Sequence, residues 1–128
     1  MANPSPLLDF DVAALSQKLR AKEISPVELT KAYLDRIEAV DERVNSYITV
    51  TADAAREMAR KAETEITAGR WRGPFHGVPI GLKDLCYTKG ILTTGGSKIL
   101  GEFVPNYDST VWTRLADAGA VLLDDDPA

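Results

Sequence analysis

The side chain best suited to chemistry in this sequence is Lys83, which ends a short apolar run over residues 78–82. If the run is extended, its side chains alternate between two faces, and Lys83 shares one face with Pro79 and Gly81. Burial of such a strand end removes the amine from water, which disfavours the charged form and favours a neutral amine able to act as a base. Asp84 follows directly, and a Lys-Asp pair is also typical of a solvated strand end.

Two further side chains invite a catalytic interpretation, His76 and Cys86, each the single residue of its type in the chain. His76 stands at the entry to the apolar run, where we predict a structural hydrogen bond, because no acid and nucleophile are clearly grouped with it. Cys86 has no recognisable histidine arrangement, so we predict a small buried side chain. One cysteine and one histidine also predict no disulfide and no zinc site, which needs three or four ligands.

A glycine-rich stretch at residues 90–98 carries a lysine, as loops that bind phosphate do. Such a loop needs the lysine directly after its second glycine and a helix immediately behind it. Here Gly96 follows Gly95, and Lys98 comes only after a further serine. We therefore predict a backbone turn near the Lys83 strand, in which the paired glycines permit close approach.

Helix signals dominate the first half of the chain. Asp9 is placed to cap a surface helix that reaches about Ala21. The clearest start is Ser25 with Pro26 and Glu28, which form a capping box with proline at the first helical position. The side chains that we predict to be buried in this second helix are Tyr33, Ile37 and Val40.

The second half predicts strands separated by helices. Residues 47–50 favour a short strand, and Thr51 is placed to cap a third helix that continues to Ala68. Asp108 is placed to cap a fourth helix, and the apolar run at 120–123 indicates a strand buried on both faces. Strand, helix and strand imply a parallel crossover and an α/β fold. The side chains predicted to face inward from these helices are Ala55, Met58, Ala62, Ile66, Val111, Trp112, Leu115 and Ala118.

Four segments of the chain together resemble the amidase signature family. They are Gly-Val-Pro-Ile-Gly-Leu-Lys-Asp at 77–84, Gly-Ile-Leu-Thr-Thr-Gly-Gly-Ser at 90–97, Tyr-Asp-Ser-Thr-Val at 107–111, and Leu-Ala-Asp-Ala-Gly-Ala-Val-Leu-Leu at 115–123. Helices similar to those that begin the family precede them, so the resemblance covers about residues 7–123. The order and spacing of the segments make the resemblance specific.

This resemblance implies a Ser-Ser-Lys triad on a large mixed sheet flanked by helices, with Lys83 at the position of the family's lysine. In that mechanism the neutral lysine acts through a first serine to take the proton of a second serine, which attacks the carbonyl of a small-molecule amide. Backbone amides stabilise the oxyanion, and water releases the acyl group. No metal or organic cofactor is implied.

The sequence departs from the family pattern after residue 123, where Asp124-Asp125-Asp126 stands in place of a Gly-Lys-Thr-Asn type segment. Both family serines belong to a later Gly/Ser-rich segment, and no serine here, Ser97 included, matches them. We therefore expect the amino-terminal quarter of an amidase, inactive by itself. One alternative is a non-catalytic interaction fragment whose open sheet edge binds a partner or forms a homodimer. Another is a member of the family branch that contains the A subunits of glutamyl-tRNA amidotransferase.

Composition predicts one globular domain, since 128 residues with 45% hydrophobic and 27% charged side chains are enough for a core. The net charge of -4 disfavours a nucleic-acid-binding module. No signal peptide or membrane-spanning run is recognisable, so we expect a cytoplasmic protein. The predicted organisation is a leader at 1–8, a helical start with a short strand at 9–69, the Lys83 strand with the β-α-β unit at 70–123, and an acidic tail at 124–128.

Overall fold

The computed structural model describes residues 4–126. A one-turn 3-10 helix at Pro6–Asp9 comes first. The helices that follow are α1 (Val12–Arg20), α2 (Pro26–Val44), α3 (Ala52–Thr67) and α4 (Thr110–Asp117). The strands are β1 (Thr49–Val50), β2 (Pro79–Lys83) and β3 (Val121–Asp126). Residues 1–3 of the predicted leader and 127–128 of the predicted acidic tail lie outside the described residues.

Within the described residues, β3 is the middle strand of a three-stranded sheet. It runs parallel to β2, with Pro79 opposite Val121, and antiparallel to β1. Because α4 lies between β2 and β3 in the chain, the predicted parallel crossover and the α/β class are confirmed. The strand continues past the predicted end at Leu123 as far as Asp126. Its first residues are the most buried part of the sheet, as expected for a strand covered on both faces.

The start of α2 follows the capping box that the sequence predicts. The Ser25 hydroxyl oxygen accepts the backbone N–H groups of Val27 and Glu28, and the Glu28 carboxylate accepts the N–H of Ser25. Ser25 also donates to Glu63 of α3 at 2.6 Å, which joins the two helices. This cap therefore sets the packing of α2 on α3 as well as the first turn of α2.

The starts of α1 and α3 differ from the prediction in their caps. Asp9 is wrong as the cap of α1, because it belongs to the preceding 3-10 helix and Asp11 accepts the N–H of Ala14 instead, at 2.8 Å. Thr51 precedes α3 but makes no side-chain cap; its hydroxyl donates to the Leu122 carbonyl of β3 at 2.9 Å. Thr51 shows that a side chain suited to capping can instead bond to a backbone group of a neighbouring strand.

At α4 the predicted cap is displaced by one residue. Ser109 accepts the N–H of Trp112 at 3.2 Å, whereas Asp108 accepts the N–H of Lys89 at 2.7 Å. The prediction that Val111 is buried is also wrong, since its side chain is 53% exposed while Trp112 is buried. Asp108 therefore connects the start of α4 to the loop that follows β2.

The core lies between the sheet and the helices. Leu34 of α2 packs with the buried alanines of α3 and with β3, although the sequence did not single it out as buried. Tyr33 packs against two apolar clusters but is only half-buried, and Val40 is half-buried as well, so the prediction that both are buried is wrong. Ile37 is buried as predicted. Among residues 4–126, none of the helices combines the length and apolar character needed to span a bilayer.

Candidate active site

Lys83 is the last residue of β2 and stands opposite Asp126 of β3. The predicted alternation of faces is present, because Leu82 is buried whereas Gly81 and Lys83 are exposed. The expected removal of the amine from water is absent here. Within residues 4–126, β2 pairs with β3 alone and its other edge is open. The expectation that Lys83 is buried is therefore wrong for residues 4–126.

The chain turns away from the sheet directly after Lys83. Its carbonyl oxygen accepts the N–H of Leu85 at 2.7 Å and that of Cys86 at 2.9 Å. On the other side, the backbone of β2 is held by its parallel ladder with β3. The main chain at Lys83 is thus constrained before and after the residue, although its side chain is exposed.

Asp84, the next residue, is buried where Lys83 is exposed, and it is only 2% exposed. One of its carboxylate oxygens, Oδ1, accepts the backbone N–H of Thr94 at 2.7 Å. The other, Oδ2, accepts the Thr94 hydroxyl and, at 3.4 Å, the N–H of Gly96. Its backbone carbonyl accepts the N–H of Gly95 at 2.7 Å. We call this set of bonds between Asp84 and residues 94–96 the Asp84 clasp.

The clasp depends on the backbone conformation of the two glycines. Gly95 and Gly96 have φ values of 59° and 68°, in the left-handed region that favours glycine. Successive residues of this kind turn several N–H groups toward one point and form a concave site for an anion. Here the anion is the Asp84 carboxylate of the chain itself. The predicted turn next to the Lys83 strand is confirmed, and the donors a phosphate would need are already used.

His76 precedes β2 and is completely buried, as expected for a structural residue. Its Nδ1 atom accepts the backbone N–H of Arg72 at 3.1 Å, which places the proton of the neutral ring on Nε2. Burial lowers the pKa of His76 below 6.5; the Glu65 carboxylate acts against this shift and the Arg72 guanidinium adds to it. His76 is therefore suited to remain neutral and to hold the loop before β2.

Glu65, Arg72 and His76 form a small polar group beside the core. Arg72 Nε donates to Glu65 at 2.7 Å, and its Nη1 donates to the Asp117 carbonyl at 3.2 Å. The His76 ring borders a cavity of about 130 Å³ that Glu65 and Arg72 also line. These contacts link α3, the loop before β2 and the end of α4, so they are structural in character.

The remaining sequence candidates have packing or local roles. Cys86 packs on the cluster of Leu82, Trp112 and Leu122 as a small apolar side chain, but it is half-buried rather than buried as predicted. Ser97 accepts the N–H of Ile99 at 3.1 Å, which is a local turn contact. Among the described residues, no three carboxylate, thiol or imidazole groups lie close enough together to hold a metal ion. The catalytic role of Lys83 stays a prediction.

The sequence-based prediction missed the clasp. Asp84 looks like an ordinary polar residue at a strand end, and its partners lie ten or more positions away. The available signal was the pair of glycines directly after Thr94, because such a pair permits the concave arrangement of N–H groups. Only the burial of Asp84 shows that its own carboxylate is the anion that these N–H groups bind.

The chain matches the family model named Amidase over residues 28–123. Among curated proteins, it is 52% identical over 117 residues to the A subunit of glutamyl-tRNA(Gln) amidotransferase from Geobacter sp. strain M21. It is 49% identical over 119 residues to the protein of the same name from Rhizobium etli. These alignments cover 91% and 93% of this chain but 24% of each relative, so the chain spans about a quarter of their length.

Solved structures give the same result. The native peptide amidase of Stenotrophomonas maltophilia superposes with a TM-score of 0.88 and 39% identity, over 94% of this chain and 25% of that protein. A bacterial aryl acylamidase described as an amidase signature enzyme superposes with a TM-score of 0.86 and 28% identity, over 95% of this chain and 26% of that one. The expected resemblance is confirmed, and this chain belongs to the amidase signature family.

Proposed function

We propose that Lys83 is the base residue of an amide-hydrolysing site to which this chain contributes only one part. The observation that carries the proposal is the position of Lys83 at the end of β2, inside the segment that matches the amidase family model. The main chain around it is constrained by the β3 ladder and by the turn at Leu85 and Cys86. A reactive group needs such a fixed backbone.

The open edge of β2 leaves Lys83 accessible to further chain. In the complete enzyme, further chain would cover this edge and withdraw the amine from water. The uncharged amine would then take a proton through a first serine, and a second serine would attack the amide carbonyl. This chain supplies the lysine and its support, and the serines belong to a segment that would follow.

The isolated chain is therefore predicted to be inactive. A base without its nucleophile and its oxyanion donors loses most of the rate enhancement, because these groups act as a unit. Steady amide hydrolysis by the purified 128-residue chain, above the rate in buffer, would contradict this prediction. The assay should include a primary aliphatic amide and an aryl acylamide.

Whether the chain supplies a working part is tested by splicing. Residues 1–123 would replace the matching segment of the Geobacter relative, which is 52% identical to this chain over the aligned region. Release of ammonia from a simple amide by the spliced protein, with none from the isolated chain, is the expected result. A spliced protein that folds but releases no ammonia, while the unspliced relative does, would contradict the proposal.

A second candidate concerns where the amide nitrogen goes. The two curated relatives described above, at 52% and 49% identity, are both named as the A subunit of glutamyl-tRNA(Gln) amidotransferase. This favours a protein that delivers the nitrogen to a glutamyl-tRNA acceptor. The test is to combine the spliced protein with the other subunits of the relative and to measure amide transfer to glutamyl-tRNA(Gln). Free ammonia without transfer would favour simple hydrolysis.

A third candidate is a non-catalytic fragment that uses the open edge of β2 to bind a second copy. Unpaired backbone groups along an edge strand favour such pairing. Sedimentation of the isolated chain at several concentrations tests this directly. A monomer at all concentrations would exclude the homodimer, whereas a dimer that persists after Lys83→Met would favour it.

A further inference from the structure

The Asp84 carboxylate is buried, and its recorded partners in the described chain are all donors from residues 94–96. Removing a carboxylate from water is costly unless hydrogen bonds replace its hydration. Charge-assisted bonds from N–H and hydroxyl donors are among the stronger ones in proteins. These buried hydrogen bonds at the start of the loop therefore hold the loop in a defined conformation, unlike a surface contact.

The clasp joins the two ends of a loop. Asp84 begins the segment that leaves β2, and Thr94 to Gly96 end it. One carboxylate therefore connects the two ends of this loop. The Gly95 N–H to Asp84 carbonyl bond, at 2.7 Å, ties the main chains together as well. Two further bonds support the far side of the loop, from Thr93 N–H to Phe103 at 2.9 Å and from Gly90 N–H to Pro105 at 3.0 Å.

The clasp begins one residue after Lys83. The backbone before Lys83 is held in the parallel ladder with β3. The backbone after it is held by the buried Asp84 side chain. The direction in which the Lys83 side chain leaves the main chain is therefore fixed from both sides, although β2 is an edge strand among the described residues.

We propose that Asp84 is a positioning residue for Lys83, acting through the turn at residues 94–96. This inference rests on the proposed function of Lys83. Asp84 does not touch the reacting atoms; it holds the strand end so that the amine meets its serine partner at one place. The competing view is that Asp84 only stabilises the loop and leaves Lys83 unaffected.

Two threonines in the same loop allow a matched test. Thr94→Val keeps the side-chain shape but removes the hydroxyl, which donates to Asp84 and accepts the N–H of Gly96 at 3.2 Å. Thr88 is also buried, at 3% exposure, but its hydroxyl donates to the nearby Cys86 carbonyl at 3.4 Å, so Thr88→Val is the control. Thr94→Ser keeps the donor and should restore the original behaviour. Asp84→Asn is informative as well, but it risks unfolding.

The first readout uses the isolated chain and nuclear magnetic resonance. We expect Thr94→Val to speed hydrogen exchange at the Gly96 amide and to lower the backbone order parameter of Lys83 from about 0.85 toward 0.6, the range of flexible backbone. Thr94→Ser and Thr88→Val should leave both values unchanged. An unchanged order parameter at Lys83 in Thr94→Val overturns the proposal, whether or not the exchange at Gly96 changes.

The second readout uses the spliced enzyme. Thr94→Val should lower kcat about tenfold with little change in KM, because misplacement of the base affects the reaction more than substrate binding. Thr94→Ser and Thr88→Val should stay close to the parent. A rise in KM at constant kcat, or equal losses in Thr94→Val and Thr88→Val, overturns the positioning role. If the spliced enzyme without any substitution is inactive, the result counts against the proposed function of Lys83. The order parameter of Lys83 in the isolated chain then decides the role of Asp84.

Discussion

The Nε2 atom of His76 lies 4.0 Å from Glu65 Oε2, inside the protein and too far for a hydrogen bond. Among the described residues, Nε2 has no hydrogen-bond partner, while Nδ1 is bonded to Arg72. The ring is therefore buried in its neutral form beside a carboxylate that would attract a proton. Desolvation is the larger influence and lowers the pKa of His76.

This balance predicts a stability that depends on pH. Because the pKa of His76 is lowered by folding, the unfolded chain binds this proton more readily. The free energy of unfolding should therefore decrease as the pH falls through 6.5, the value for the unfolded chain. His76 is the only histidine, so its ring resonance can be followed directly. A midpoint above 6.5 would show that Glu65 outweighs burial and would contradict the prediction.

A side chain at Gly119 should destabilise the fold, because the turn after α4 passes close to the His76 ring. Its φ is +85°, and an added Cβ would lie 3.1 Å from His76 Cγ, with the edge of the ring nearer still. Gly69, after α3, has a similar φ of +81° but open space around it. We expect Gly69→Ala to lower the free energy of unfolding by about 1–2 kcal/mol through backbone strain alone.

Gly119→Ala should cost about 1–3 kcal/mol more than Gly69→Ala, since the ring must also move. Urea denaturation of the two variants and the parent measures the difference. Equal losses in both variants would mean that His76 is not packed against this turn.

The capping box of α2 predicts a loss of stability from Ser25→Ala. This change removes the acceptor for two backbone N–H groups and the hydrogen bond to Glu63. A loss of about 1–2 kcal/mol in the free energy of unfolding is expected, at the upper end for a cap. Ser16→Ala, in the interior of α1, is the control and should change stability by less than about 0.5 kcal/mol. Similar values for the two variants would contradict the role of Ser25.

Features encoded within a few residues were predictable from the sequence. The α2 capping box needs only Ser25 and Glu28, and the apolar residues of β3 specify a buried strand without knowledge of their neighbours. Long-range contacts decided the rest. Asp108 and Ser109 are both suitable caps for α4, and the contact with Lys89 determines which one is used.

The same distinction applies to the site. The run that ends at Lys83 predicts its strand and its face, because both follow from alternation along the chain. The exposure of Lys83 depends on whether another strand covers the edge of β2, which the run itself does not encode. The Asp84 clasp requires a turn ten residues later to fold back on the strand. Its residues are recognisable only once that turn is in place.

The most direct test of the proposed base compares two lysines in the spliced enzyme. Lys83→Met removes the proposed base, and Lys89→Met removes an exposed lysine from the loop that follows. We predict that Lys83→Met lowers kcat for amide hydrolysis by about a thousandfold or more, while Lys89→Met stays near the parent. Retention of parent-like kcat by a folded Lys83→Met enzyme would contradict the assignment of Lys83 as the base.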